Sequence, residues 1–126
     1  MSYGVLAPSL MRRQWRRMMT DRPGDSSADP LSRIDPVIHA PARLKVVTLL
    51  YVVEAADAAF LVNRTGLTWG NLSTHLGKLE ESGYVVLEKG YRGKKPCTMI
   101  RLTTEGREAF RQYRTNMQQV LGDLPE

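Results

Sequence analysis

Apolar residues recur at helical spacing from Leu31 to Ile38, and this spacing predicts a first helical segment. Pro41 suits the first turn of a second helix, because the N–H that proline lacks would have no helical partner there. The second helix carries an apolar surface that extends to Val53 and is wide enough to be largely buried. A short third helix is predicted over residues 57–64, with the Asp57 carboxylate capping its first turn.

The fourth predicted helix, at about residues 68–82, has an unusual outer face. It follows a turn at Gly66, and the Thr68 hydroxyl can cap its exposed amides. Leucines at positions 72, 76 and 79 share one side, which is predicted to face the core. The opposite side carries Gly70, Asn71, Ser73, Thr74, Gly77 and Lys78. A glycine within a helix costs about 1 kcal/mol relative to alanine, so two on one exposed face indicate close approach to another surface.

A DNA major groove is a surface that such a face fits, because short side chains let the helix backbone approach base edges and phosphates. The Asn71 amide can pair with an adenine edge, whereas Ser73, Thr74 and Lys78 suit phosphates or bases. The residues thus predict a recognition helix, with Thr68 at its start.

The residues after this helix predict a β-hairpin with a long basic loop. Strands at residues 84–89 and 98–102 flank a turn-rich segment at residues 90–96. That segment contains Arg92, Lys94 and Lys95 and no acidic residue. Because the hairpin directly follows a helix with this outer face, its loop is predicted to contact phosphates or a minor groove.

A last helix is predicted from residue 103 to about residue 121, with Thr103 or Thr104 as its cap. Five apolar residues recur along it and just beyond it at alternating steps of three and four: Phe110, Tyr113, Met117, Val120 and Leu124. Such a stripe either covers its own domain or pairs with a partner helix. We favour a homodimer contact, because a protruding helix with few neighbours is an inefficient way to build the core of a monomer.

Composition is compatible with one globular domain of 126 residues, with 42% hydrophobic and 25% charged side chains. Eighteen lysines and arginines against thirteen acidic residues give a net charge of +5, which favours a polyanionic partner. The single cysteine, Cys97, excludes an intramolecular disulfide and suits a reducing, cytoplasmic compartment. No apolar run is long enough to span a bilayer, so no membrane partner is expected.

Residues 1–30 are interpreted as a basic, flexible extension without a secretion signal. Arginines cluster around Trp15, and a segment rich in proline, glycine, serine and aspartate follows them. The cluster could be an arm for the minor groove or a solvated terminus, and the sequence leaves both readings open.

The sequence does not indicate an enzyme. No nucleophile with a base, pair of carboxylates or cluster of metal ligands is visible, so no catalytic residue, cofactor or metal is expected. His75, beside an apolar helix face, is predicted to be a hydrogen-bonded packing residue, and Cys97 a small buried one.

Three ordered motifs within about residues 31–121 resemble the winged helix-turn-helix transcriptional regulators of the MarR and ArsR type, particularly their small single-domain bacterial members. The motifs are Asp35-Pro36-x-Ile38-His39-x-Pro41-x-Arg43-Leu44, Asn71-Leu72-Ser73-x-His75-Leu76-x-Lys78-Leu79-Glu80-x-x-Gly83-Tyr84-Val85 and Leu102-Thr103-x-x-Gly106-Arg107. The resemblance implies a mainly α fold with a small β-hairpin (α+β), in which a winged-helix domain at residues 31–124 has N- and C-terminal dimerisation helices.

The resemblance also implies function: a homodimer that binds a pseudo-palindromic operator in double-stranded DNA. The recognition helix would contribute Asn71, Ser73, Thr74 and Lys78, and the wing, at about residues 84–102, would contribute Arg92, Lys94 and Lys95. Gly77 departs from the family pattern, which usually has a longer polar residue there, and Thr68-Trp69-Gly70 is also unusual. The alternative function is a winged-helix module for protein contact, without an operator of its own.

Overall fold

The computed structural model describes residues 30–122, 124 and 125. The basic extension predicted for residues 1–30, with its arginine cluster and Trp15, therefore falls outside the described residues except for Pro30. The described residues belong to two units, one formed by residues 35–112 and the other by residues 30–34 together with residues from 113 onward.

The described chain contains five α-helices and three strands, which confirms the predicted mainly α fold with a small sheet. A 3₁₀ turn at Pro30–Arg33 precedes them. The elements are α1 (Pro36–His39), α2 (Pro41–Val53), β1 (Ala55–Asp57), α3 (Ala58–Thr65), α4 (Trp69–Glu81), β2 (Val85–Arg92), β3 (Lys95–Leu102) and α5 (Thr104–Gly122).

The predicted helix boundaries are confirmed where a local chemical signal sets them. Pro41 lies in the first turn of α2, and the Asp57 carboxylate accepts the N–H of Phe60 at 2.7 Å to cap α3. Gly66 ends α3 in the left-handed region, with φ of 74°. The Thr68 hydroxyl then caps α4 by accepting the N–H of Asn71 at 3.0 Å. These caps satisfy amides that have no partner within the helix.

The core of residues 35–112 lies where α2, α4 and the sheet face one another. Its fully or almost fully buried residues are Ile38, Val46, Val47, Leu50, Leu61, Leu72, Leu76, Leu79, Val85, Ile100 and Leu102. Burying each leucine of α4 contributes about 1.5–3 kcal/mol relative to leaving it exposed. The predicted core face of α4 is therefore confirmed, and its burial fixes which side of the helix faces outward.

The structure corrects the first predicted helical segment. The chain from Leu31 to Ile38 is not one helix, because it is interrupted at Asp35, whose φ and ψ of −68° and 114° are extended. Pro36 explains the break, since a proline ring disfavours helical geometry in the residue before it. Asp35 instead caps the short α1, where its carboxylate accepts the N–H of Val37 at 2.8 Å.

The sheet contains a strand that the sequence did not predict. Strand β1 pairs antiparallel with β3, with Ala55 opposite Arg101 and Asp57 opposite Met99, so the strand order is β1-β3-β2. Three residues of the type Ala-Ala-Asp have a weak intrinsic preference for strands. Pairing with a strand more than forty residues away in the sequence, and not local pattern, defines β1.

The predicted long loop of the hairpin is wrong. Strands β2 and β3 stay paired as far as Arg92 and Lys95, which leaves only Gly93 and Lys94 as the turn. Gly93 has φ of 65°, as the first position of a two-residue type II′ turn requires. The wing is thus a two-stranded ribbon that is paired up to its turn, and its basic residues lie at or beside that turn.

The second unit contains the end of α5 and the 3₁₀ turn. The buried Asn116 amide donates to the carbonyl of Arg33 at 3.0 Å, and the Arg33 guanidinium donates to the Gln119 amide oxygen at 3.4 Å. These hydrogen bonds hold the 3₁₀ turn against the last part of the helix.

A tyrosine that follows α4 connects it to α1. The Tyr84 hydroxyl donates to the Asp35 carboxylate at 2.5 Å. Burial, followed by that hydrogen bond and by the negative charges of Asp35 and Glu105, raises the pKa of Tyr84 from 10.0 to about 12. The neutral phenol is therefore the form that the folded protein prefers.

Tyr84→Phe is expected to lower the free energy of unfolding by about 1 kcal/mol at neutral pH, as for a partly exposed hydrogen bond. In the wild type, the contribution of Tyr84 is complete below pH 10 and is lost between pH 10 and about 12, because the unfolded chain releases this proton first. Urea unfolding across that window measures both effects. Tyr91→Phe, at a tyrosine that is 78% exposed, serves as the control. A Tyr84→Phe protein whose stability fell with pH as steeply as the wild type would contradict this role.

Candidate nucleic-acid interface

The outer face of α4 is open to solvent. All five residues predicted for the recognition helix are exposed: Thr68, Asn71, Ser73, Thr74 and Lys78. A Cβ placed on Gly70 or Gly77 would have none of the described atoms within 4 Å beyond the helix's own backbone. No described residue packs on this face, so it is available to another molecule.

Some polar side chains on α4 form hydrogen bonds within the helix, and others do not. The Thr68 hydroxyl caps the helix, and the Thr74 hydroxyl donates to the carbonyl of Gly70 at 3.1 Å. Within the described part of the chain, the side chains of Asn71, Ser73 and Lys78 have no hydrogen-bond partner. These three groups can therefore bind a partner without first breaking a bond inside the protein.

Arg43 of α2 fixes the position of α4. Its Nε donates to the carbonyl of Val37 at 2.6 Å, and its Nη1 lies 3.2 Å from Nδ1 of His75. Because arginine can only donate, Nδ1 of His75 is the acceptor. His75 is thus a partly buried, hydrogen-bonded packing residue, as predicted. The first sequence motif contains Arg43 but did not indicate this role, because its partners come from two different helices.

The three predicted wing cations lie together at the tip of the hairpin. Arg92 ends β2, Lys94 lies in the turn and Lys95 begins β3, and all three are exposed. Arg92 forms an ion pair of 3.2 Å with Asp57. Asp57 therefore both caps α3 and ties the wing to the edge of the sheet. The sequence indicated the first of these roles and not the second, which depends on the pairing of β1 with β3.

The apolar stripe of α5 is largely buried within the single chain. Phe110, Tyr113 and Val120 are each no more than 7% exposed, whereas Met117 is partly exposed. The Phe110 ring packs against Tyr51 of α2, with 4.9 Å between the ring centroids. Leu121 is 61% exposed on the same helix. Part of the stripe therefore covers its own domain, one of the two roles that the spacing allowed.

Three other predictions concern metal binding, Cys97 and membranes. Among the described residues, no group of three or more histidine, cysteine or acidic side chains could hold a metal ion. Cys97 is half-buried, which is more exposed than the buried position predicted for it. None of the described helices is long and apolar enough to cross a membrane.

Comparison with known proteins identifies the family to which the chain belongs. A family model described as "Winged helix DNA-binding domain" matches residues 42–121. An uncharacterized protein of Methanocaldococcus jannaschii is 38% identical over 77 residues, which are 61% of this chain and 84% of that protein. The residues matched by the family model include α4 and the wing.

Solved structures share the fold. A transcriptional regulator homologue from Pyrococcus horikoshii OT3 superposes with a TM-score of 0.67 and 26% identity, covering 71% of this chain and 89% of that one. Bordetella bronchiseptica BpsR, a protein whose DNA binding is regulated by 6-hydroxynicotinic acid, has a TM-score of 0.54 and 15% identity, covering 95% and 87%. The chain belongs to the winged helix DNA-binding domain family, which confirms the resemblance to winged helix-turn-helix regulators and makes it a DNA-binding protein and not an enzyme.

Proposed function

We propose that this protein is a sequence-specific transcriptional regulator that binds double-stranded DNA as a homodimer on a pseudo-palindromic operator. The observation that carries the proposal is the uncovered outer face of α4, where small and hydrogen-bonding residues lie on a helix whose opposite side is buried in the core. Family membership supports duplex DNA as the partner.

We assign recognition of the DNA base sequence to α4. In the major groove, the Asn71 amide can donate to N7 and accept from the amino group of an adenine through paired hydrogen bonds. Ser73 and Lys78 add further donors elsewhere on the exposed face of α4, and Gly70 and Gly77 let the helix backbone come close to the bases. Thr68 and Thr74 would complete the contact surface.

We assign binding of the DNA sugar–phosphate backbone to the wing. Arg92, Lys94 and Lys95 present three cations at the end of a paired two-stranded ribbon, where they can contact phosphates on either side of a minor groove. Arg92 pairs with Asp57 while most of the Arg92 side chain, 71%, stays exposed. Such contacts add affinity for every sequence and fix the register of α4.

The dimer contact is assigned to α5. Met117 and the exposed Leu121 would meet a second copy, and the buried Phe110, Tyr113 and Val120 would support that surface from beneath. A two-fold dimer presents two recognition helices to two half-sites about one helical turn apart, so its operator should be a pseudo-palindrome.

Selection of bound fragments from a random duplex library tests this function. We expect an enriched inverted repeat, together with a complex whose mass in sedimentation equals two protein copies on one duplex. An enriched site without symmetry would contradict the homodimer. Failure to retain any duplex would favour a winged-helix module for protein contact.

Asn71→Ala and Lys94→Ala should affect the selected site differently. Asn71→Ala is expected to cost about 1–3 kcal/mol on that site and to relax the preference at one base pair, because it removes a contact to a base edge. Lys94→Ala should weaken selected and random duplexes alike, because a phosphate contact carries no sequence information. Competition titrations with both duplexes measure the difference, and equal losses on both duplexes for both variants would refute the recognition-helix assignment.

A further inference from the structure

A groove of about 370 Å³ lies between the start of α4 and the turn end of the wing. Its lining includes Asp57, Trp69, Arg92, Lys95, Cys97 and Thr98. All of these residues belong to the unit of residues 35–112. The groove therefore joins the two elements to which DNA contacts are assigned.

Trp69 is the notable residue of this groove. It is the first residue of α4, and its side chain is 60% exposed although tryptophan is usually well buried. An exposed indole beside cations offers an apolar ring face and one N–H donor to a partner. Among the described residues none covers more of this ring, so the indole is open to a partner molecule.

The charge of the groove fits an anionic partner. Arg92 and Lys95 supply two cations, and Asp57 is the single acidic residue in the lining. The Asp57 carboxylate is only 20% exposed, and it already accepts from Arg92 at 3.2 Å and from the N–H of Phe60 at 2.7 Å. The groove is thus basic, with guanidinium, ammonium and indole donors along an open path.

We propose that this groove binds the sugar–phosphate backbone of one DNA strand between its contacts with α4 and the wing. Trp69 packs its ring on a deoxyribose and donates its N–H to a phosphate, and Arg92 and Lys95 bind the neighbouring phosphates. This inference rests on the proposed function, since it requires α4 and the wing to bind the same duplex. It adds a positioning residue that the family pattern did not indicate.

Tryptophan fluorescence tests the groove directly. The protein contains two tryptophans, so the full-length Trp15→Phe variant has Trp69 as its sole tryptophan. Acrylamide quenching is measured with and without duplex DNA, while the anisotropy of a dye-labelled duplex reports binding in the same samples. We expect bound DNA to protect Trp69 from acrylamide, and inorganic phosphate alone to leave quenching unchanged. Protection by phosphate alone would identify a small-anion site and overturn the proposal.

Substitutions at Trp69 provide the second measurement. Trp69→Ala is expected to weaken selected and random duplexes equally, by about tenfold, the loss of one hydrogen bond to a charged group. Trp69→Phe keeps an aromatic ring and should lose less. If DNA binds while Trp69 stays fully quenchable, or if Trp69→Ala binds like the wild type, the groove is not the site and the proposed function stands. If no duplex binds, both proposals fail.

Discussion

Gly106→Ala is expected to destabilise the protein by about 3 kcal/mol or more, at the upper end of what overpacking costs. Gly106 is buried in the first turn of α5, where a Cβ would overlap the backbone carbonyl of Tyr84 and lie 3.1 Å from Leu102. The same carbonyl accepts the N–H of Thr103 at 3.0 Å, so it cannot move without breaking that bond. Because Gly106 has no side chain, the first turn of α5 can pack directly against the backbone of Tyr84, which lies between α4 and β2.

Urea unfolding of Gly106→Ala measures this effect, with Gly77→Ala as the matched control. A Cβ at Gly77 meets none of the described atoms within 4 Å beyond the helix's own backbone, so Gly77→Ala should stabilise the protein by about 0.5–1 kcal/mol through helix propensity alone. The same chemical change should therefore have opposite signs at the two glycines. Unfolding of Gly106→Ala within the error of the wild type would show that the close approach to Tyr84 is not a constraint.

Gly77→Glu is expected to weaken binding of duplex DNA on the order of 100-fold, because it adds a carboxylate to the face that meets phosphates and bases. The position is open in the free protein, and glutamate favours helix more than glycine does. The variant should therefore fold at least as stably as the wild type. Loss of binding without loss of stability is what distinguishes a functional face from a structural one.

Gln112→Glu is the control for this substitution. Gln112 is exposed on α5, so the variant changes the net charge by the same amount away from the proposed DNA surface. Anisotropy titrations of Gly77→Glu and Gln112→Glu on one duplex give the comparison. Equal affinities for the two variants would mean that α4 does not face DNA.

The helices of this protein could be predicted because short-range chemistry defines them. Pro41, Asp57 and Thr68 each act within one turn of their own helix, and the leucines of α4 mark its buried side by spacing alone. The exposed face of α4 follows from the same pattern, so the residues proposed to read DNA could be named from the sequence.

What the sequence did not predict depends on contacts between distant segments. Strand β1 exists because it pairs with β3, and the extent of the hairpin depends on continuous pairing up to Arg92 and Lys95. The ion pair of Arg92 with Asp57 follows from both. The groove around Trp69 also requires contact between α4 and β3, and the spacing of residues along a helix cannot predict such a contact.

The salt dependence of duplex binding tests the central claim most directly. Lys78, Arg92, Lys94 and Lys95 are four exposed cations per copy, so two copies should give a slope of log affinity against log salt of about −7. Affinity should then fall about 10⁴-fold between about 50 and 200 mM salt. A straight, steep decline of this kind is the result that an α4-and-wing interface predicts. An affinity that stayed flat across this range, or no measurable binding at the lowest salt, would contradict it.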